Sequence, residues 1–345
     1  MIPAMSAVGG GTFQEYVAMV GSYSVPGPDV AVRGAAIPFD TTNGYGTAYS
    51  GITISATATA GGCFFGPNAE SVVYTANTNS TNTRAYAFSA TGIGTQYAQP
   101  GSAMTGGYTG DVRHFPTPGI VGYGGQTTPF VNAYLWTNAG GYSTKYGNPS
   151  TLPANTVGQV TFRNQSTQAF ACSFSGTTPY VRAWIWSSGF STVYANPATV
   201  PTGATTIRFS PDGNTVLVGT NASPYVHAYA WSAGWSTKYA NPATLPTGTV
   251  NDVNWNPDST AVMAAHSTSP YLTAYPFSAG FGTKYSNPAT LLAGNGTSAM
   301  WNRDGTAVIA NSSGDLSAYR WSAGFGTKYT SYTAVSYNSY SAVTY

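Results

Sequence analysis

The chain has 345 residues, of which 42% are hydrophobic and 14% aromatic, yet only 6% are charged and the net charge is +2. An ordinary soluble domain carries about a quarter of its residues as charged side chains, so the polar surface here must come from Ser, Thr, Asn, Gly and Tyr. A near-neutral chain without a basic stripe argues against a nucleic-acid partner. No apolar run approaches the roughly 20 residues that cross a bilayer, and the aromatics exclude disorder.

At the start of the chain, Met1 to Ser6 have neither a basic region nor a long apolar one and do not read as a signal peptide. Gly11 to Val20 and Asp29 to Phe39 then read as two strands. They are followed by Gly44 to Tyr49 (GYGTAY), a phrase that returns at Gly92 to Tyr97, Gly141 to Tyr146, Gly189 to Tyr194, Gly234 to Tyr239, Gly280 to Tyr285 and Gly324 to Tyr329. Successive closing tyrosines are 48, 49, 48, 45, 46 and 44 residues apart. Repeats of this period read as the blades of a propeller.

Each repeat divides into four short strands. In the sixth these are Asp252 to Asn256, Ala261 to Ala265, Tyr271 to Phe277 and Phe281 to Tyr285, with turn residues at every junction. The third strand closes on an aromatic in all seven repeats: Phe39, Phe88, Trp136, Trp186, Trp231, Phe277 and Trp321. Its expected role is packing between blades. The predicted fold class is all-β, a seven-bladed β-propeller of four-stranded antiparallel blades, forming one domain over residues 1–345.

Other features fit ordinary structural roles. Cys63 and Cys172 lie in apolar strand-like stretches and are expected as buried, unbridged thiols. His114, His227 and His266 fall in three different repeats without metal-ligand spacing. Asp212, Asp258 and Asp304 occupy equivalent turns, which turn formation explains. Lys145, Lys238, Lys284 and Lys328 share a place on the outermost strand, where they are expected to form a solvated edge that discourages strand pairing. The first-strand positions read as Thr, Val, Ala and aromatics, with no acidic cluster. The expectation is therefore no catalytic residue, no metal and no cofactor.

The loops after strands two and four share one face. In them an aromatic follows Pro at Phe130, Tyr180, Tyr225 and Tyr271. These four are the candidate contacts for a partner or a glycan, since binding residues concentrate on loops held by a rigid scaffold.

In most repeats the first-strand aromatic lies 15 or 16 residues after the marker tyrosine, and 16 residues after Tyr329 is Tyr345, the last residue. Ser341 to Tyr345 therefore read as a first strand without partners, while the N-terminal strands lack a first. The residues 341–345 should complete the first blade, 11–50, and remove the open edges of the ring. Deleting them is expected to lower the melting temperature of the whole ring, checked by calorimetry.

The turn Phe209-Ser210-Pro211-Asp212-Gly213 resembles the first-strand turn of WD40 and YVTN-type propellers. The Gly-His and Trp-Asp dipeptides of true WD40 repeats are absent; Trp-Ser stands at Trp186-Ser187, Trp231-Ser232 and Trp321-Ser322. The longer phrase from Ser223 to Gly248 resembles propeller-repeat structural proteins of tailed bacteriophages and prophages. That resemblance runs over nearly the whole chain. It implies a non-enzymatic virion structural protein, an accessory, tail or fibre-type component acting as a protein-binding scaffold, with host attachment as one use. The expected partners are other virion proteins in a multi-copy particle, or a host-surface glycan, with no membrane insertion. The expected location is the virion. The alternative is a soluble lectin-like propeller that binds glycans through its loop face.

Overall fold

Second strands in this chain carry apolar residues at successive positions, as in Val216, Leu217 and Val218, so both of their faces need cover. In the computed structural model, which describes residues 15–24, 30–55, 59–66, 70–77, 83–100, 112–115, 119–137, 139–312, 315–333 and 338–344, that cover comes from the neighbouring sheets. Seven antiparallel sheets form a ring, and no helix occurs among the described residues. Blades 2 to 7 take their strands in chain order from the axis outward. Blade 5, for instance, is Ala204–Phe209, Thr215–Thr220, Val226–Trp231 and Trp235–Lys238. Each innermost strand abuts the innermost strand of the next blade, so together they surround a central channel.

Blade 1 is assembled from both ends of the chain. Asn338–Thr344 pairs antiparallel with Glu15–Ser24, which pairs with Val30–Asp40, so the C-terminal segment supplies the innermost strand. The expected closing strand is present and begins three residues earlier than the sequence suggests; residues 11–14 and 345 lie outside the described residues. The closing seam also carries polar ties. Asn302 Nδ2 of blade 7 donates to both carboxylate oxygens of Glu15, at 3.1 and 3.0 Å. Burial pushes the Glu15 carboxyl above its ordinary range. Tyr329 Oη donates to Thr41 O at 2.7 Å, and the Arg320 guanidinium lies 4.9 Å from the centre of the Tyr329 ring.

Two blades depart from four full strands, for one reason. The fourth strand of blade 6 reduces to a bridge between Phe277 and Phe281, and that of blade 1 to Gly44–Tyr45. In both, the third strand carries a proline one place before its closing aromatic, Pro276 and Pro38. Proline has no N–H to give the ladder. Only its carbonyl takes part, accepting from Gly282 N at 2.8 Å and Gly46 N at 2.9 Å.

The repeated phrase is the seam between blades. The ring of each marker tyrosine lies against the third-strand aromatic of the following blade. The pairs are Tyr49–Phe88, Tyr97–Trp136, Tyr146–Trp186, Tyr194–Trp231, Tyr239–Phe277, Tyr285–Trp321 and, closing the ring, Tyr329–Phe39, with centroids 5.0 to 5.8 Å apart and steeply tilted planes. The phrase's own glycine makes room. At Gly234, φ is +130° and a Cβ would stand 2.9 Å from the Tyr194 ring of the preceding blade. First-strand aromatics complete the contact, as Phe209 does against Trp231 at 4.9 Å. The core is accordingly a series of clusters shared between blades, such as Ala169, Ala171 and Ala183 of blade 4 with Ile207, Phe209 and Val218 of blade 5.

Edge-on aromatic pairs contribute about 0.5–1.5 kcal/mol beyond area burial, and truncating a buried Trp costs about 3–5 kcal/mol. Trp231→Ala should therefore lower the unfolding free energy by about 3–5 kcal/mol and Tyr194→Ala by less. A double-mutant cycle by denaturant titration should return a coupling of about 1 kcal/mol.

Candidate functional site

Four consecutive innermost strands carry the same bulge near their start, between Val157 and Gln159, Ala204 and Thr206, Val250 and Asp252, and Gly296 and Ser298. A bulge re-aims the side chain that follows it. Here it turns Gln159, Thr206 and Asp252 toward the next blade, where each accepts a backbone N–H. Gln159 Oε1 accepts from Ile207 N at 2.8 Å, Thr206 Oγ1 from Val253 N at 3.4 Å, and Asp252 Oδ2 from Ala299 N at 3.4 Å. Thr161 Oγ1 makes a further tie, accepting from Phe209 N at 3.2 Å. The polar side chains form a belt that ties successive innermost strands together.

Among the described side chains of these four strands, the belt holds an ion pair at one place. Arg208 Nη2 donates to Asp252 Oδ1 at 3.3 Å, between blades 5 and 6. Relative exposure is 7% for Arg208, 4% for Asp252 and 7% for Gln159, so the pair is withdrawn from bulk water. A buried ion pair is sustained only when further hydrogen bonds meet its charges. Gln159 Nε2, reaching across from blade 4, supplies one to Asp252 Oδ1 at 3.3 Å. In the other bulged strands the equivalents of Asp252 are Gln159, Thr206 and Ser298, and those of Arg208 are Thr161, Asn254 and Met300, all uncharged. The sequence expectation concerned an acidic cluster at first-strand positions; what stands there is a single acid, Asp252, paired with Arg208. Asp252 and Arg208 escape notice in the sequence because one is a lone acid, and its partners lie 44 and 93 residues earlier.

The four aromatics singled out from the sequence share one backbone geometry. Phe130, Tyr180, Tyr225 and Tyr271 each follow a cis X–Pro bond and have φ between 61 and 69°. In every case the aromatic N–H donates to the carbonyl three residues back, as Tyr225 N does to Ala222 O at 2.8 Å. The rings are half-buried and pack on the seam toward the following blade. Ser175 N to Thr156 O, Asn221 N to Gly203 O and Ser267 N to Thr249 O, 2.9–3.0 Å, tie these loops to the starts of the innermost strands. They therefore share a face with the bulges that carry Gln159 and Asp252.

The remaining sequence candidates take structural places. Asp212 accepts from Asn214 N at 3.0 Å within its turn, as expected, whereas at the equivalent turns Asn256 and Asn302 Oδ1 accept the backbone donors, each at 2.8 Å. Cys63 and Cys172 are buried in different blades, and burial pushes the Cys172 thiol well up. Lys238 and Lys284 donate to the amides of Asn241 and Asn287, which gives the recurring Asn-Pro a partner that sequence reading missed. Their ammonium groups are held below the usual lysine range by partial burial. His266 Nε2 lies 2.9 Å from Thr273 Oγ1. The side chain of His114 lies outside the described residues. Among the described residues, no three His, Cys, Asp or Glu side chains come together as a metal site.

Fold and site together define a seven-bladed propeller with a charged pair on its channel strands. Solved structures share this architecture over nearly its whole extent. A protein from Bacteroides uniformis named as a "putative 6-phosphogluconolactonase" matches with a TM-score of 0.67 at 13% identity, over 96% of this chain and 99% of its own. One of the same name from Bacteroides fragilis gives 0.59 at 11% identity, over 96% and 97%. A Lactobacillus plantarum protein gives 0.60 at 12%, over 96% and 100%. At such identities the likeness is one of fold. No protein-family model and no curated protein sequence matches the chain. The expectation of a non-enzymatic virion scaffold, with its lectin-like alternative, is corrected by these neighbours. Two of the three carry an enzyme's name, and the phage resemblance finds no support among them.

Two buried histidines give the protein a pH dependence. Burial, followed by the charge of Lys238, lowers His227 to about 4, and burial lowers His266 to about 4, with Lys284 adding to it. Both groups bind a proton more readily unfolded, so their contribution is complete above about pH 6.5 and is lost as pH falls toward 4. The loss should be about 3 kcal/mol for each. Calorimetry between pH 7 and 4 should show a steeper fall in the wild type than in the His227→Gln/His266→Gln double variant.

Proposed function

We propose that the chain is a propeller enzyme that hydrolyses a small, oxygen-rich cyclic ester of the sugar-lactone class at its channel, with Arg208 as the group that meets substrate charge. The observation that carries this reading is the Arg208–Asp252 pair, which sets charge into a channel belt whose equivalent positions in neighbouring blades are uncharged. The lactonase name borne by two neighbours of the same fold supports the substrate class.

Adding water to a lactone carbonyl places negative charge on the carbonyl oxygen before the ring C–O bond breaks to give the hydroxy acid. A guanidinium fixed in a site withdrawn from water stabilises that charge without reorganising. Its fork also suits a phosphate on the substrate. Asp252 holds the guanidinium in place, and Gln159 and Ala299 N hold Asp252.

The test is hydrolysis of 6-phosphoglucono-δ-lactone, followed as acid release above the uncatalysed rate. The Arg208→Met/Asp252→Asn double variant removes both charges without orphaning either. It should lose about 100-fold or more in kcat/KM, the scale of removing one oxyanion donor, with its melting transition retained. A wild-type rate equal to the uncatalysed one would sink the reading.

A further inference from the structure

Gln159 stands two blades from Asp252, 93 residues earlier in the chain, and its amide meets three groups at once. Oε1 accepts from Ile207 N at 2.8 Å and from the Thr206 hydroxyl. Two donors converging on one atom fix the amide's orientation, because Nε2 has no lone pair to offer either of them. Nε2 is thereby aimed at Asp252 Oδ1, 3.3 Å away, the same oxygen that takes the Arg208 guanidinium. Thr206 and Asp252, at the equivalent places, each clasp the following blade through a backbone N–H. Gln159 does the same and has a donor left over, which it uses on Asp252.

We propose that Gln159 is the positioning residue of the channel site: its amide sets the orientation of the Asp252 carboxylate, which in turn fixes the Arg208 guanidinium that meets the substrate. This rests on the function proposed above. The role needs an acceptor and a donor on one planar head at glutamine's length. Asparagine is one methylene shorter, leucine offers neither group, and glutamate keeps the acceptor and loses the donor.

That last difference supplies a test that a merely structural contact would not pass. In Gln159→Glu, two carboxylates face each other where an amide faced a carboxylate, and such a pair holds one proton between them as pH falls. The shared proton restores a donor between positions 159 and 252. Initial rates on 6-phosphoglucono-δ-lactone, corrected for background, would be measured from pH 7.5 to 5 for the purified full-length wild type, Gln159→Glu and Gln159→Leu. The glutamate variant should be down roughly tenfold in kcat/KM at pH 7.5 and within about twofold of wild type at pH 5, as a shared proton between like charges requires. The leucine variant should stay low throughout. A Gln159→Glu profile parallel to wild type overturns the proposal. If the wild type itself leaves the lactone untouched, the proposed function fails and melting temperatures decide the role of Gln159. The Gln159→Glu deficit should then shrink as pH falls, and Asp252→Asn in the same background should remove that dependence. A deficit indifferent to pH or to Asp252 overturns it.

Discussion

Everything in this ring depends on the contact between one blade's marker tyrosine and the next blade's third-strand aromatic. A single four-stranded sheet cannot bury both of its faces, and the second strands, buried from end to end, make that need acute. The tyrosine extends beyond its own outer strand and plugs the edge of the following seam, where the neighbour's left-handed glycine leaves space for it. Because the same phrase is both donor and receiver, one sequence element used seven times satisfies every seam, including Tyr329 against Phe39.

The closing seam is where identical repeats no longer suffice, because the two partners are the two ends of the chain. Its added ties, Glu15 with Asn302 and Tyr329 with Thr41, join residues 287 and 288 positions apart. Keeping a carboxylate there in a half-desolvated place is a cost. It is met by an asparagine that already organises the turn of blade 7 through its other amide atom. Elsewhere in the ring, too, one residue makes two ties. The channel belt shows this most clearly: Asp252 ties blade 6 to blade 7 and anchors Arg208 with the same carboxylate.

The fold was legible because its signals are local and repeated. The spacing of the tyrosines, the aromatic closing each third strand, and the unpaired strands at the two ends specify seven blades and the manner of closure. Pro38 and Pro276 show the limit of that reading. Both sit in strands that look regular by alternation, and only the missing N–H shortens the strand paired with them. The aromatics after proline were visible in sequence, but not their common left-handed backbone or their packing on the seams. The phage likeness went astray because a propeller's repeated phrase reports the packing that all such rings need, and one fold hosts many functions.

The sequence by itself determined the number of blades, the residues at each seam and the strand that closes the ring, since each follows from a pattern within one repeat or from counting repeats. The candidate site follows from the tertiary structure alone. Gln159, Arg208 and Asp252 come from three blades and share no motif. What unites them is the bulge that aims their strands' side chains at the next blade and the curvature of the ring, which brings blade 4 within hydrogen-bonding reach of blade 6. A carboxylate and a guanidinium 44 residues apart are unremarkable in a list of residues. They become a candidate site because the ring withdraws both from water and sets them 3.3 Å apart.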